Sequence, residues 1–132
     1  MEIIITDWAL DSYLDLVSKK VFSRHEYLEV IRPDVMLLFD FPNDPKFQNG
    51  KFWSPAKDMS GAIISSGFKM KWHQIGSGRV QLRLTVGVLD EKCYLCEAYV
   101  KNNEKVEARK LAKFKGILEL IRQGSYTVMG KL

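Results

Sequence analysis

Four side chains that could act together on a phosphodiester lie close in the sequence, namely Lys69, Lys71, His73 and Arg83. Successive side chains of a β-strand point to opposite faces, so residues two apart share a face. The first three residues therefore share one face of a predicted strand, and Arg83 falls on the polar face of the next strand. Apolar residues fill the alternate positions of both strands: Phe68, Met70, Trp72, Val80, Leu82, Leu84 and Val86.

These residue types suit the cleavage of a phosphodiester without a metal. That reaction needs a base for the attacking hydroxyl, cations for the charge on the phosphoryl oxygens, and an acid for the leaving oxygen. The planar guanidinium of Arg83 can hold two phosphate oxygens, and Lys71 adds a second cation. The general acid or base would be His73 or Lys69. A histidine titrates near neutral pH, and like charges close to a lysine favour its neutral amine. The alternative is an ordinary solvated sheet face.

The cations are concentrated in the C-terminal part of the chain. Residues 1–50 contain five Lys or Arg and nine Asp or Glu, a net charge of −4, whereas residues 51–132 contain fifteen and seven, a net charge of +8. A localised positive field attracts polyanions, without distinguishing RNA from DNA or a membrane surface. We predict additional nucleic-acid contacts from Lys51, Lys57, Arg79, Lys101, Lys105 and Arg109.

The two cysteines, Cys93 and Cys96, have C-x-x-C spacing, but they lie in a run typical of a buried strand. Positions three apart on a strand face opposite ways, so the sulfurs could not easily share a metal or form a disulfide. Zinc would need two further ligands, and the only histidines, His25 and His73, are not at zinc-finger spacing. We therefore predict structural cysteines, no metal and no cofactor.

Length and composition favour one cytoplasmic domain spanning residues 1–132. A chain of 132 residues is long enough for a single core. No segment approaches the roughly 18 consecutive apolar residues of a membrane span. The N-terminus has acidic residues where a secretory signal would have basic ones, so we expect a soluble protein without membrane association.

The elements at the N-terminal end must support the polar strand face. The β-branched run at 2–5 predicts a strand, and Asp7 is a candidate N-cap for a helix that ends near the "SKK" sequence. Ser23 and Glu26 have the spacing of a capping box, and Pro33 must kink or restart the helix that follows. This region predicts either two antiparallel helices or one helix followed by a broken one.

A loop, three strands and a helix complete the predicted order. Residues 42–61 are rich in Pro, Gly, Asn and Asp and indicate a loop. Its Phe47, Phe52 and Trp53 would anchor it to the core or stack on bases, and anchoring is favoured. A helix with an apolar stripe ends the chain near Gly124. The strands, which short connections should pair antiparallel, are predicted at 62–73, 79–89 and 92–101.

Two segments match motifs of a known family. The segment "FKMKWH" (68–73) is similar to a K-x-K strand, and "RLTVGVLDEKCYLCEAYVK" (83–101) is similar to an R-L-x-Y-x-V strand, a D-x-x turn and an apolar strand ending in Lys. These motifs resemble those of the RelE/ParE superfamily of bacterial type II toxins, and the closing helix resembles that of its HigB-like branch. Matched in this way, Lys69, Lys71 and Arg83 fall on positions used for phosphate binding and catalysis.

The resemblance implies a fold and a function. The fold would be α+β, in which an N-terminal strand and two helices precede a three-stranded meander that completes a four-stranded sheet, with a C-terminal helix. The protein would be an mRNA interferase, a toxin that inhibits translation by cleaving messenger RNA on the ribosome and that a cognate antitoxin neutralises. Many relatives carry a Tyr on the last helix where this chain has "ARKLAKFK", so the general base stays open. The alternatives are a ParE-like inhibitor of DNA gyrase and a non-catalytic RNA-binding protein.

Overall fold

The computed structural model describes all residues, Met1–Leu132, and contains one mixed six-stranded sheet. The strands are β1 (Glu2–Thr6), β2 (Trp53–Lys57), β3 (Ile63–Ile75), β4 (Val80–Leu89), β5 (Lys92–Val100) and β6 (Val128–Lys131). The strand order across the sheet is β2-β3-β4-β5-β1-β6, with β1 parallel to β5 and the other neighbours antiparallel. The three long strands, β3 to β5, confirm the predicted meander to within two residues at each end.

The predicted four-stranded sheet is wrong, although the α+β class is right, because two edge strands extend the sheet. Strand β2 lies within the segment 42–61, where the sequence predicts a loop. Its Pro55 disfavours a central strand, but β2 pairs only with β3, and an edge strand tolerates a missing N–H. Strand β6 is four residues long, and its Val128 and Met129 are exposed, so it lacks the alternation that predicts a strand.

Helix α1 (Asp7–Ser18) follows β1 without a loop, and its N-cap is Thr6, one residue before the predicted Asp7. The hydroxyl of Thr6 accepts a hydrogen bond from the backbone N–H of Ala9 at 3.3 Å and donates one to the carbonyl of Leu95 at 2.7 Å. The same side chain therefore caps the helix and ties its start to β5.

The segment 24–40 is helical but irregular, which confirms the broken-helix alternative. It begins at the predicted capping box, in which Ser23 and Glu26 each accept from the other's backbone N–H. Pro33 lies in the first turn of one piece, where its missing N–H is tolerated. The pieces are α2 (Arg24–Glu26), a π-helical turn (Tyr27–Ile31), α3 (Arg32–Met36) and a 3₁₀ turn (Leu37–Asp40).

Both faces of the sheet are covered. On the core face, α1 and the segment 24–40 pack over apolar residues of β3 and β4, including Met70, Trp72 and Leu82. On the opposite face, here called the α4 face, helix α4 (Glu104–Arg122) packs its own apolar stripe. None of the helices combines the length and the apolar character that crossing a bilayer would require.

The aromatic residues of the segment 42–61 anchor it, as predicted. Phe47, Phe52 and Trp53 are all buried in the core-face cluster. The ring of Trp53 stacks on Phe68, with centroids 4.9 Å apart. Since these rings are buried against the protein's own core, they are not available to stack on bases.

A β-bulge in β5 decides which side chains reach the α4 face. Thr85 pairs with Glu97, whereas Val86 pairs with Leu95, so Cys96 is an extra residue in β5. Cys96 and Glu97 consequently both face α4, while Cys93 lies in the core-face cluster. The cysteines are free and face opposite ways, as predicted.

Candidate active site

The α4 face has an apolar half and a polar half. In the apolar half, Phe114 and Leu118 of α4 are buried against Ile64 and Cys96 of the sheet. In the polar half, the first turns of α4 lie beside charged residues of β3, β4 and β5. We call this group the polar cluster, and it consists of Lys69, Lys71, Arg83, Tyr99, Lys101 and Glu107.

Lys71, Arg83 and Tyr99 form a row across the centre of the polar cluster. Lys71 lies directly opposite Arg83 between β3 and β4, and Arg83 lies opposite Tyr99 between β4 and β5. Side chains opposite each other in an antiparallel pair have Cβ atoms about 4.5–5.5 Å apart. Burial, followed by the charges of Lys69 and Arg83, lowers the pKa of Lys71 below its ordinary value. The two predicted phosphate-binding cations are therefore neighbours on one face.

Arg83 is buried, yet its hydrogen bonds do not use all of its donors. Its Nη1 donates to the carbonyls of Leu82 at 3.1 Å and Trp72 at 3.4 Å, and its Nη2 donates to Gln81 Oε1 at 2.9 Å. The buried Nε has no partner. Burial lowers the pKa of Arg83, but a guanidinium remains protonated in proteins. The centre of the cluster thus holds a positive charge that only neutral oxygens contact.

Glu107 brings a negative charge to the edge of the same cluster. It lies in the first turn of α4 and is 5% exposed. Its carboxylate accepts from the hydroxyl of Tyr99 at 2.8 Å and from Lys69 Nζ at 3.2 Å, and Lys101 Nζ lies 3.9 Å away. Burial raises the pKa of Glu107, but the Tyr99 hydrogen bond and the two lysines outweigh it and lower the pKa below its ordinary value. Glu107 is therefore ionised at neutral pH.

Tyr99 acts as a hydrogen-bond donor in this arrangement. Burial, followed by the charge of Glu107, raises its pKa well above the ordinary value for a tyrosine. The hydroxyl consequently stays protonated and fixes one oxygen of the Glu107 carboxylate.

The sequence analysis missed both Tyr99 and Glu107. Strict alternation from Cys93 assigns Tyr99 to the core face, and only the bulge reverses this. The sequence does contain a pattern that indicates Glu107. It lies four residues before Leu111 and seven before Phe114, on the apolar stripe of α4. A carboxylate on such a stripe needs buried partners.

A shallow pocket of about 360 Å³ lies away from Glu107, and both Lys71 and His73 border it. His73 is exposed, and its Nε2 contacts the carbonyl of Lys51. The Nζ of Lys71 donates to the carbonyl of Gly50. The predicted residues Lys51, Lys71 and His73 thus meet here, while Lys69 points to Glu107 instead.

A groove of about 870 Å³ runs between β2 and the start of α4. Four predicted basic residues line it, and three acidic residues, Asp58, Glu104 and Glu107, lie among them. Two other predicted contacts lie elsewhere: Arg79 is exposed in the turn after β3, and Lys101 is paired with Glu104 at 3.2 Å. The basic residues of the groove are Lys57, Lys69, Lys105 and Arg109.

The side chains of the protein do not form a metal site, because no three His, Cys, Asp or Glu residues are arranged to hold a metal ion. Comparisons with protein-family models, with curated proteins and with solved structures find no match to this chain. The geometry of the polar cluster and the motifs at 68–73 and 83–101 are the features of the chain that indicate a function.

Proposed function

We propose that the protein is a RelE-like toxin that cleaves messenger RNA without a metal, with the polar cluster as its active site. The observation that carries the proposal is the pair formed by Lys71 and Arg83, which lie side by side on one face and contact only neutral oxygens of the protein. A phosphate suits this pair because a guanidinium and an ammonium can share its oxygens. No carboxylate lies within 4.0 Å of either cation to compete.

The acid and the base flank this pair. Lys69 and Lys71 are two residues apart on β3 and lie roughly 6.6 Å apart along the strand. The pairing of β3 with β4 becomes irregular between Trp72 and Ile75, where His73 lies. Glu107 is bound to Lys69 on one side of Lys71, and His73 follows Lys71 on the other side. Displacement at phosphorus needs the attacking and leaving oxygens in line, so a base and an acid on opposite sides of the phosphate fit the reaction.

We assign the base to Glu107 and the acid to His73. The Glu107 carboxylate removes the proton of the 2′-OH, and the 2′-oxygen attacks phosphorus. The bond from phosphorus to the 5′-oxygen then breaks, His73 gives that oxygen a proton, and a 2′,3′-cyclic phosphate remains. Lys69, predicted as an acid or a base, orients Glu107 in this scheme.

Lys71 and Arg83 stabilise the charge that develops on the nonbridging oxygens. Removing one such donor typically costs about 10²–10³ in rate. His73 can serve as the acid while its Nε2–H stays on the carbonyl of Lys51, because a doubly protonated imidazole donates through Nδ1 as well.

The groove beside β2 offers a path for the flanking RNA. Lys57, Lys105 and Arg109 line it, and a positively charged groove can follow a single-stranded backbone without reading its sequence. The net charge of +8 over residues 51–132 would also favour ribosomal RNA and an acidic antitoxin as partners. The proposed setting is ribosome-bound messenger RNA in a bacterial cytoplasm.

The test is expression in bacteria of the wild type and of the double variant Lys71→Ala, Arg83→Ala. We expect the wild type to arrest growth and to leave cleaved messenger ends in primer extension, and we expect the double variant to do neither. The matched control is Lys19→Ala, Lys20→Ala, which removes two exposed cations at the end of α1. A double variant that is folded and cleaves like the wild type would refute the assignment.

The same experiment separates the two alternatives. Stalled replication with DNA-damage signalling and intact messenger RNA would support inhibition of gyrase. Retention of RNA that falls steeply with salt, without any cleaved ends, would support a non-catalytic RNA-binding protein.

A further inference from the structure

A second pocket lies on the core face, behind the strands that carry the polar cluster. It is an apolar cavity of about 190 Å³ that is partly open to solvent and lies between α1, the segment 24–40 and strands β1, β3, β4 and β5. Its walls include Ala9, Leu84 and Leu95, and Arg32 is the one lining residue that is not hydrophobic or aromatic. The cavity is therefore suited to an apolar ligand and not to a chain of waters, which would need several polar partners.

The cavity extends into the hydrophobic core, because most of its lining residues belong to the core-face cluster. Native cores are close-packed and have few voids larger than a water molecule. An apolar cavity of about 150 Å³ is large enough to take up benzene. The larger space found here can accept a six-membered ring or a short aliphatic chain.

The polar end of the cavity is formed by Arg32 with two tyrosines. The rings of Tyr13 and Tyr27 lie 5.1 Å apart, and both line the cavity with Arg32. Burial raises the pKa of Tyr27, and the charge of Arg32, which is exposed at the mouth of the cavity, acts in the opposite direction. No carboxylate of the protein lies within 4.0 Å of Arg32.

The backbone at this end of the cavity is also irregular. Tyr27 begins the π-helical turn Tyr27–Ile31, and the backbone N–H of Arg32 closes it on the carbonyl of Tyr27. Turns of this kind are rare and occur frequently at functional sites. The wide turn brings Tyr27 and Arg32 to the same side of the helical segment, at the cavity.

We propose that this cavity binds a small apolar carboxylate, with its body between α1 and the sheet and its carboxylate on Arg32 and the hydroxyl of Tyr27. The volume limits the apolar body to about six to eight carbon atoms, judged against the benzene-sized cavity. A guanidinium with an adjacent hydroxyl is a charge-assisted donor pair for a carboxylate, and an alcohol of equal length cannot use it in the same way. The site is independent of RNA cleavage.

The first test is a titration of the methyl-labelled full-length protein with hexanoate, followed by NMR, with hexanol as the uncharged match. We expect saturable shifts of the methyl groups of Leu84 and Leu95, and hexanoate should bind about ten- to a hundredfold more tightly than hexanol. The variant Arg32→Gln should reduce hexanoate binding to the level of hexanol and leave hexanol unchanged. Absence of saturable shifts in the wild type, or unchanged hexanoate binding in Arg32→Gln, would overturn the proposal.

A second test fills the cavity from opposite walls. Ala9→Leu enters from α1 and Ala98→Leu from β5, and each should abolish binding of both ligands. Ala112→Leu adds the same side chain on the exposed side of α4 and should bind like the wild type. The amide spectrum of each variant reports its folding, so one folded filling variant is sufficient. A folded filling variant that still binds hexanoate would place the ligand elsewhere and refute the site.

Discussion

Helix α4 has a different role over each half of the α4 face. Over the apolar half, Phe114 and Leu118 are 1% and 0% exposed and hold the helix against the sheet. Over the polar half, the first turn of α4 contributes Glu107, and of the Lys71–Arg83 pair Lys71 borders an open pocket while Arg83 is buried. One helix therefore both stabilises the fold and completes the site, and the two roles are separated along its length.

The α4 face contains two buried carboxylates, Glu97 and Glu107, and their partners differ. Glu97 is held by Lys110 and Lys113, at 3.4 and 2.9 Å, and both lysines come from α4, so this carboxylate ties helix to sheet. Glu107 is held by Lys69 and Tyr99 of the sheet and borders the groove. Burial of a carboxylate does not by itself identify a site. Its place on the groove and its contacts with Lys69 and Tyr99 are what distinguish Glu107.

The largest expected effect is on stability, from Phe114→Ala in the apolar half. Truncating a fully buried Phe typically costs about 3–5 kcal/mol, because apolar contacts are lost and a cavity remains. Urea unfolding followed by circular dichroism measures the change, and Leu120→Ala, on the exposed side of α4, should cost less than about 1 kcal/mol. RNA cleavage per folded molecule should stay within a few-fold of wild type. A selective loss of cleavage would show that the two halves are not separable.

The next largest effect is expected on RNA cleavage, in a comparison of the variants Glu107→Gln and Glu97→Gln. Removing a general base lowers the rate by about 10²–10⁴, so Glu107→Gln should nearly abolish cleavage in a primer-extension assay. Glu97→Gln should keep cleavage and lose about 1–3 kcal/mol of stability, since its lysines lose a charged acceptor. Equal loss of cleavage in both folded variants would contradict the distinction between the two carboxylates.

A smaller effect is expected from two glycines, Gly87 in β4 and Gly116 in α4 itself. A Cβ at Gly87 would lie 2.5 Å from Cδ2 of the buried Leu118, so Gly87→Ala should cost about 1–3 kcal/mol. A Cβ at Gly116 meets nothing within 4 Å, so Gly116→Ala should stabilise the helix by about 0.5–1 kcal/mol. Thermal unfolding of both variants measures the two changes in stability. A stabilising Gly87→Ala would show that the apolar half is less tightly packed than described.

The smallest expected effect is on the pH dependence of stability. The pKa of Glu107 is lowered in the folded protein, so its contribution is present above the ordinary value of 4.5 and is lost as the pH falls through the folded pKa. Below about pH 4.5, Glu107→Gln should therefore lose stability less steeply than the wild type. Urea unfolding between pH 6 and 3 measures the slope. Glu104→Gln, which removes an exposed carboxylate one turn earlier, is the control, and an equal change in its slope would contradict the role of burial at Glu107.

Local patterns in the sequence were sufficient for the meander and for the central cations. Alternation with a period of two places Lys71 and Arg83 on the face opposite Trp72 and Leu82, and antiparallel pairing across a short turn puts the two cations side by side. The capping box at Ser23 is equally local, because both of its partners lie within four residues. Each of these features depends only on neighbours in the chain.

Tertiary structure decided the rest. The edge strands β2 and β6 form because β3 and β1 offer them unpaired backbone groups, which no pattern in residues 53–57 or 128–131 reveals. The bulge at Cys96 turns Tyr99 to the α4 face, and only the docking of α4 then joins Glu107 to Tyr99 and Lys69. The sequence by itself determined which cations share a face, since alternation is a property of one strand. The partners of those cations depend on contacts between distant segments, and packing alone brings such segments together.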